Sequence, residues 1–166
     1  MPDSKPPDNE PTVAEDLDAA TLLSLAGSLA DGAVLEALRA RGFRVTRAHG
    51  YIFQRLLTGD QTITTLAADL RITQQGASKH VDELERAGLV SRRVSPHDRR
   101  ARMVALTDEG RIAIRTAREA RAAFDEHARA VVGDELLAAT RRALALLLDD
   151  SGMSRHIADR TIPWAD

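Results

Sequence analysis

Apolar residues recur at steps of three and four along most of the chain, which is the spacing of one face of an α-helix. Glycines that suit helix ends stand between these segments, because Gly42, Gly88 and Gly133 each follow an apolar stripe. Thr73 and Thr107 precede helical segments and are predicted N-caps. The pattern predicts helices over residues 17–41, 46–57, 64–70, 74–87, 107–132 and 134–149.

The apolar spacing changes to alternation between the fourth and fifth predicted helices. Val90, Arg92 and Val94 alternate with polar or charged neighbours, which is the period of a β-strand. A second short apolar run follows at 103–106, and Pro96 begins the charged segment between the two runs. This stretch predicts a β-hairpin with a charged tip. The expected fold class is therefore mainly α with a small two-stranded β-wing.

A helix, a short helix, a turn, a further helix and a charged hairpin follow one another in the order of a winged helix-turn-helix. Ala77, Val81 and Leu84 lie on one face of the fourth helix, so its opposite face is polar and available to DNA. Gln can bond adenine edges, and Ser and Lys can reach bases or phosphates. The candidate DNA contacts of this helix are Thr73, Gln74, Gln75, Ser78, Lys79 and Asp82. The structural alternative is an ordinary helical hairpin with a polar outer face.

The distribution of charge favours a surface that meets phosphates. Residues 71–102 contain eight Lys and Arg residues against four Asp and Glu residues, whereas the whole chain has a net charge of −2. A basic segment within an acidic protein is typical of a nucleic-acid contact. A solvated helix face would carry a similar excess, so charge alone leaves both interpretations open.

The predicted hairpin, or wing, carries the clearest candidate chemistry, because arginine suits the strongly negative minor groove of DNA. Its candidate DNA contacts are Arg92, Arg93, His97, Arg99, Arg100 and Arg102. Asp98 is the acid among them, so we expect it to organise the loop by binding Arg100 while Arg99 enters the minor groove. The sequence allows these two arginines to exchange roles. Alternatively, the charges guard the hairpin edge against pairing with other strands.

Length and composition limit the classes of protein to which this chain can belong. With 166 residues the chain is about one domain long, and it contains no cysteine, which excludes disulfides and thiolate metal sites. It has no uninterrupted apolar run of about 18 residues, and its Pro- and Asp-rich start lacks the apolar segment of a signal peptide. We therefore expect a cytoplasmic protein without a membrane partner. A disordered extension is expected over 1–16 and a tail over 150–166.

No catalytic pattern stands out in the sequence. The five histidines are scattered, with no two of them at helical spacing, and there is no nucleophile elbow, P-loop or dinucleotide fingerprint. We expect no catalytic residues, no metal and no cofactor. Two alternatives to a DNA-binding protein remain. One is an enzyme of unrecognised class, and the other is a winged module that contacts proteins, whose hairpin would not need arginines.

Three short motifs carry a family resemblance. The letters LERAGLV occupy residues 84–90, DRR occupies 98–100, and LTDEG occupies 106–110. In this order and at this spacing they resemble the MarR family of bacterial transcription regulators, in which the motifs end the recognition helix, form the wing and open the next helix. The resemblance covers residues 17–149. Gly76 is a departure from the family pattern, because glycine within the recognition helix has a low helix propensity.

The resemblance implies a homodimer of six-helix protomers that acts, as a repressor, on a pseudo-palindromic site in double-stranded DNA. Residues 17–45 and 107–149 would form the dimer, and residues 46–106 would form the DNA-binding lobe. Each recognition helix would enter a major groove and each wing a minor groove. The apolar first and last helices agree with a dimer, because a monomer would expose them. The alternative is that these two helices pack on each other within one chain, which would also bury their apolar faces.

The resemblance also implies a small-molecule effector, commonly phenolic or anionic, bound between the dimer helices and the lobe. Here the second helix supplies His49, Tyr51, Phe53 and Arg55, and an aromatic ring beside a cation can hold an aromatic acid. These four residues are the candidate effector pocket. Such residues are more commonly core aromatics and surface charges, and the sequence leaves open which of them face a cleft.

Overall fold

The structure, a computed structural model, describes residues 13–94 and 102–161. It is mainly helical with a small antiparallel sheet, as the sequence predicts. The elements in chain order are a 3-10 turn (Ala14–Asp16), α1 (Ala19–Ala40), α2 (Arg47–Leu56), β1 (Gln61–Thr62), α3 (Ile63–Leu70), α4 (Gln74–Arg86), β2 (Val90–Val94), β3 (Arg102–Leu106), α5 (Asp108–Asp150) and α6 (Met153–Ala158).

Side-chain caps fix where the helices begin. Thr73 accepts a hydrogen bond from the Gly76 N–H at 3.0 Å, and Thr107 accepts one from the Gly110 N–H at 3.0 Å. Both N-caps are therefore confirmed. Each cap satisfies a backbone donor that the first helical turn leaves without an intrahelical partner. At the other end of α1, Gly42 takes a φ of +85°, a left-handed value that favours glycine.

The sheet has three strands in the order β1-β3-β2, so the predicted two-stranded wing is confirmed and a third strand is added to it. The hairpin of β2 and β3 is present, and Val90 faces Leu106 at its base. The additional strand is β1, whose Gln61 faces Val104. Two residues are too few to show an alternating pattern, which is why the sequence did not reveal this strand.

The core of the lobe lies between α3, α4 and the sheet. Ala77, Val81 and Leu84 are fully buried, which confirms the predicted inner face of α4. Leu66 and Leu70 of α3 are also fully buried and belong to the same cluster. Because this stripe fixes the rotation of α4 about its axis, it also determines which side chains of α4 face outward.

The fifth and sixth predicted helices are the two parts of α5, which is kinked at Gly133. Gly133 lies within α5 at φ 81° and ψ 165°, which is not a helical conformation. Residues 108–132 and 134–150 are therefore two arms that meet at this glycine. The first arm packs on α1, where Arg41 donates to the Thr116 hydroxyl at 3.2 Å and binds Glu119 at 3.3 Å.

The terminal regions are more structured than the sequence suggests. Residues 14–16 form a 3-10 turn within the segment expected to be disordered, and α6 lies within the expected tail. The segment after α6 contacts α2, because Arg55 donates to the Asp159 carbonyl at 2.9 Å and Arg160 donates to Gln54 at 3.1 Å. Residues 1–12 and 162–166, with Trp164, lie outside the described residues.

Helix α1 is apolar well beyond its buried face. Val34 and Leu38 are buried in the core, but Leu25 and Leu29 are 56% and 68% exposed. By length and composition alone α1 would be able to cross a membrane, although the sequence has no uninterrupted apolar run of that length. In a single chain, α1 therefore presents an apolar surface to solvent.

Candidate nucleic-acid interface

The outward face of α4 begins with a group of polar side chains. Gln74, Gln75 and Lys79 are exposed, and Ser78 is half-buried. Thr73 is also exposed, but its hydroxyl oxygen is engaged in capping the helix. The amides of a helix N-terminus carry partial positive charge. Hydrogen-bonding and cationic groups therefore converge where α4 begins.

Arg92 of β2 is bound to α4. Its guanidinium lies 2.5 Å from Asp82 Oδ1 and also binds Glu85, whose other carboxylate oxygen accepts the Arg92 backbone N–H at 3.1 Å. The hydrogen bond with Asp82, joined by that with Glu85, raises the pKa of Arg92 above its ordinary value. The sequence predicts DNA contacts for Arg92 and Asp82, whereas the structure gives the two an intramolecular role.

Two other wing arginines are exposed. Arg93 and Arg102 lie on adjacent strands, at the end of the hairpin farther from the core. Side chains alternate along a strand, so Arg93 leaves the sheet on the face opposite to Arg92. The predicted tip residues His97, Asp98, Arg99 and Arg100 lie outside the described residues.

The corner between β3 and α5 is locked to the corner between α4 and β2. The Thr107 hydroxyl donates to the Gly88 carbonyl at 2.7 Å, and the Thr107 N–H donates to the Leu89 carbonyl at 3.2 Å. A Cβ on Gly110 would lie 2.1 Å from the Leu89 oxygen, far inside van der Waals contact. The motifs over 84–90 and 106–110 therefore meet in space. Only backbone without a side chain fits where they meet.

His49, which the sequence assigned to the candidate effector pocket, is buried between α2 and α4. Its ring is 4% exposed and lies between α2 and α4, with Nε2 3.0 Å from Glu83 Oε2. Nδ1 accepts the Thr46 N–H at 3.2 Å, which completes a capping box at the start of α2. Burial lowers the pKa of His49, and the hydrogen bond with Glu83 opposes that effect. The same hydrogen bond lowers the pKa of Glu83.

Arg55 is likewise outside the cavity that was predicted for it. Its guanidinium is 2.5 Å from Asp69 Oδ2 and is only 13% exposed, so it joins α2 to α3. Together with its hydrogen bond to Asp159, this contact makes Arg55 a structural residue. The prediction grouped Arg55 with aromatic residues that are near it in sequence, but nearness in sequence does not show which residues share a helix face.

A cavity of about 390 Å³ does lie between α1, α2 and α5. Tyr51 and Phe53, two of the predicted pocket residues, line it. Three arginines also line it: Arg47 of α2 and Arg118 and Arg121 of α5. The α5 arginines were not predicted, because on a long charged helix nothing in the sequence marks which arginines face a cleft.

Comparison with known proteins gives consistent results. Residues 45–101 match the model of the MarR family. A curated relative, the HTH-type transcriptional regulator PetP of Rhodobacter capsulatus, is 33% identical over 95 residues, which are 57% of this chain and 57% of that protein. The chain thus matches little more than half the length of this relative.

Solved structures resemble the fold over most of the chain. A MarR family transcriptional regulator from Rhodococcus sp. RHA1 is 28% identical with a TM-score of 0.55, covering 81% of this chain and 95% of that one. An S. aureus MepR variant bound to an oligodeoxyribonucleotide is 21% identical with a TM-score of 0.55, covering 81% of this chain and 98% of that one. At 21% identity, the second likeness is one of fold.

Proposed function

Because the chain belongs to the MarR family of transcription regulators, we propose that it binds double-stranded DNA in the cytoplasm as a homodimer and thereby regulates transcription. Its family consists of regulators and not of enzymes, and this disfavours a catalytic role. The observation that carries the proposal is the exposed polar start of α4 beside a basic wing. The oligonucleotide bound to the MepR variant, a protein of the same fold, supports the same interpretation.

In this proposal α4 reads the major groove. Gln74, Gln75 and Ser78 are positioned to contact base edges, since amide and hydroxyl groups discriminate between bases. Lys79 is better suited to a phosphate, because an ammonium group is a point charge without a fixed geometry. The first two turns of α4 would therefore supply sequence preference.

In the same proposal, the wing contributes the positive charge that binds the DNA backbone. Arg93 and Arg102 are exposed and are assigned to the phosphate backbone. Beyond the described residues, Arg99 is assigned to the minor groove and Asp98 to holding Arg100, with His97 alongside. A winged module that only contacts proteins is the competing function, but it gives no reason for so many arginines in one hairpin.

The dimer would form from α1 and residues 131–150 of α5, which include the Gly133 kink and the second arm. Their exposed apolar residues are Leu22, Leu23, Leu25, Leu29, Val131, Val132, Leu136, Leu144, Leu146, Leu147 and Leu148. A patch of this extent on a soluble chain is typical of a permanent contact. A second copy offers a matching surface and brings two α4 helices to one face of DNA. This arrangement predicts half-sites about 10 bp apart.

We further propose that the regulator is a repressor released by a small aromatic or anionic molecule. The cavity between α1, α2 and α5 joins an apolar wall, with Phe53, to a rim of Arg118 and Arg121. Apolar walls with a few convergent charges are the usual composition of small-molecule sites. Because this cavity borders both the proposed dimer helices and the lobe, an occupant would change the distance between the two α4 helices.

Selection of bound DNA from a random pool tests the function directly. We expect enrichment of a site with two-fold symmetry, with half-sites about one helical turn apart. The matched control is a variant that carries Gln75→Ala, Ser78→Ala and Lys79→Ala, which should lose the enrichment while its circular dichroism is unchanged. Failure of the parent to enrich any sequence, or enrichment of a site without symmetry, contradicts the proposal.

A further inference from the structure

We propose that His49, His80 and Glu83 form a binding site for a divalent transition-metal ion that joins α2 to α4. His49 comes from α2, and the other two residues lie three positions apart on α4. The site is distinct from the proposed DNA contacts of α4 and from the arginine-lined cavity.

The distances suit a single small ion. Glu83 Oε2 lies 3.0 Å from His49 Nε2 and 3.4 Å from His80 Nδ1, and the three donor atoms lie within 4.8 Å of one another. A tetrahedral zinc ion has ligands at about 2.0–2.1 Å, which separates neighbouring donor atoms by about 3.3 Å. The separations of 3.0 and 3.4 Å lie close to that value, and the third lies within 4.8 Å, so the fit requires a small side-chain adjustment.

The donor set selects the class of ion. Imidazole nitrogens with a carboxylate suit zinc, cobalt, nickel and copper, whereas calcium and magnesium prefer oxygen donors alone. The three protein ligands would leave a fourth position for water. His80 and Glu83 have side chains that are 23% and 31% exposed, so an ion can enter from the solvent side of α4.

Protonation of His49 makes the proposal more specific. Nδ1 accepts the Thr46 N–H, so in the neutral ring Nε2 carries the proton that faces Glu83. Binding of an ion at Nε2 moves this proton to Nδ1, and the Thr46 N–H must then find another acceptor. Thr46 is exposed, so water can accept it.

An ion at this site would replace the Thr46–His49 and His49–Glu83 hydrogen bonds by three coordinate bonds that join α2 to α4. The competing interpretation is a His49–Glu83 pair that binds no ion, since it is already hydrogen-bonded and needs none to be stable. The two interpretations differ in whether the cluster takes up metal, and this can be measured without DNA. The test is therefore independent of the proposed DNA binding.

The experiment is a titration of the untagged, chelator-treated full chain with Zn(II) by calorimetry and with Co(II) by visible absorption. We expect one equivalent per protomer and the d–d bands of tetrahedral cobalt. His80→Asn and Glu83→Gln should each weaken binding at least about tenfold. The control is His127→Asn, since His127 is exposed on α5.

The Thr46 amide provides a second readout that a surface ion would not affect. At a Zn(II) concentration that just saturates the parent, its NMR signal should shift fully in the parent and in His127→Asn, and much less in Glu83→Gln. The proposal is overturned if the parent shows no saturable binding, if both cluster variants bind as tightly as the parent, or if His127→Asn loses binding equally. Circular dichroism of each variant confirms that the chain is folded.

Discussion

Arg92 of the wing and Asp82 of α4 are joined by an ion pair of 2.5 Å, which couples the two elements proposed to touch DNA. Glu85 binds the same guanidinium and the backbone N–H of the same residue. One cation thereby offsets part of the negative charge of two carboxylates that would repel phosphates. The pair also sets the angle between the hairpin and α4.

Replacement of Arg92 by Ala should weaken binding of every DNA sequence, because it releases the wing and leaves Asp82 and Glu85 without their cation. Fluorescence anisotropy at several salt concentrations measures this effect. Asp82→Asn distinguishes the two roles: an ion pair that positions the wing predicts weaker binding, and a purely electrostatic role predicts tighter binding. Arg93→Ala is the comparison, since loss of a phosphate contact should lower the salt slope by about 1.

Gln75→Ala should change sequence preference rather than overall affinity. Loss of a good base contact costs about 1–3 kcal/mol at one base position. Lys79→Ala should instead weaken all sites alike. Competition assays with single-base variants of the selected site measure both. Gln54→Ala on α2, whose side chain contacts Arg160, serves as the control. An unchanged preference in Gln75→Ala would mean that another face of α4 meets the DNA.

Gly110→Ala should destabilise the chain strongly. The new Cβ would meet the Leu89 carbonyl oxygen at 2.1 Å, so the corner between β3 and α5 has to move. We expect a loss of about 1–3 kcal/mol or more in the free energy of unfolding, measured by urea denaturation. Gly50→Ala is the matched control, because a Cβ there meets nothing within 4 Å. It should be neutral or raise stability by about 0.5–1 kcal/mol. Equal stability of the two variants would contradict this account.

Leu29→Glu and Leu147→Glu should each convert the proposed dimer to monomers. Their side chains are 68% and 59% exposed in the single chain and lie on the proposed dimer surface. Burial of a carboxylate at a contact between copies is costly. Sedimentation velocity gives the oligomeric state. Val94→Glu changes another exposed apolar residue, outside the proposed contact, and should leave the dimer intact. A monomeric parent at micromolar concentration would exclude the dimer.

Asp98→Ala tests the tip of the wing, which lies outside the described residues. If Asp98 organises the arginines around it, the variant should bind DNA more weakly. Simple electrostatics predicts the opposite, since a negative charge near phosphates has been removed. One titration at fixed salt decides between the two signs, provided that circular dichroism is unchanged. Binding as tight as that of the parent would exclude the organising role.

Sequence periodicity predicted the parts of the molecule that depend on local pattern. The stripe of Ala77, Val81 and Leu84 identified the inner face of α4, and the caps at Thr73 and Thr107 identified helix starts. Each of these features is determined by residues within a few positions of one another. The order of elements, read with the family motifs, was enough to predict the fold class.

Features that join distant parts of the chain were not predicted. Glu83 is 34 positions from His49, so no spacing rule relates them. Alternation indicated the sheet face on which Arg92 lies, but not that this face meets the acids of α4. Strand β1 is too short for any period. The sequence therefore predicted the elements well and predicted poorly the side chains that connect them.

The contact between Arg41 and Thr116 has a consequence for the order of folding. These residues are 75 positions apart, and the whole lobe lies between them. Closing so long a loop in an unfolded chain has a high entropic cost, and contacts of this kind slow folding. A lobe that is already folded holds the end of α1 near the start of α5 and removes most of that cost. We therefore expect the lobe to fold before α1 packs on α5. A destabilising substitution in the core of the lobe should then slow the packing of α1 on α5, although neither helix belongs to the lobe.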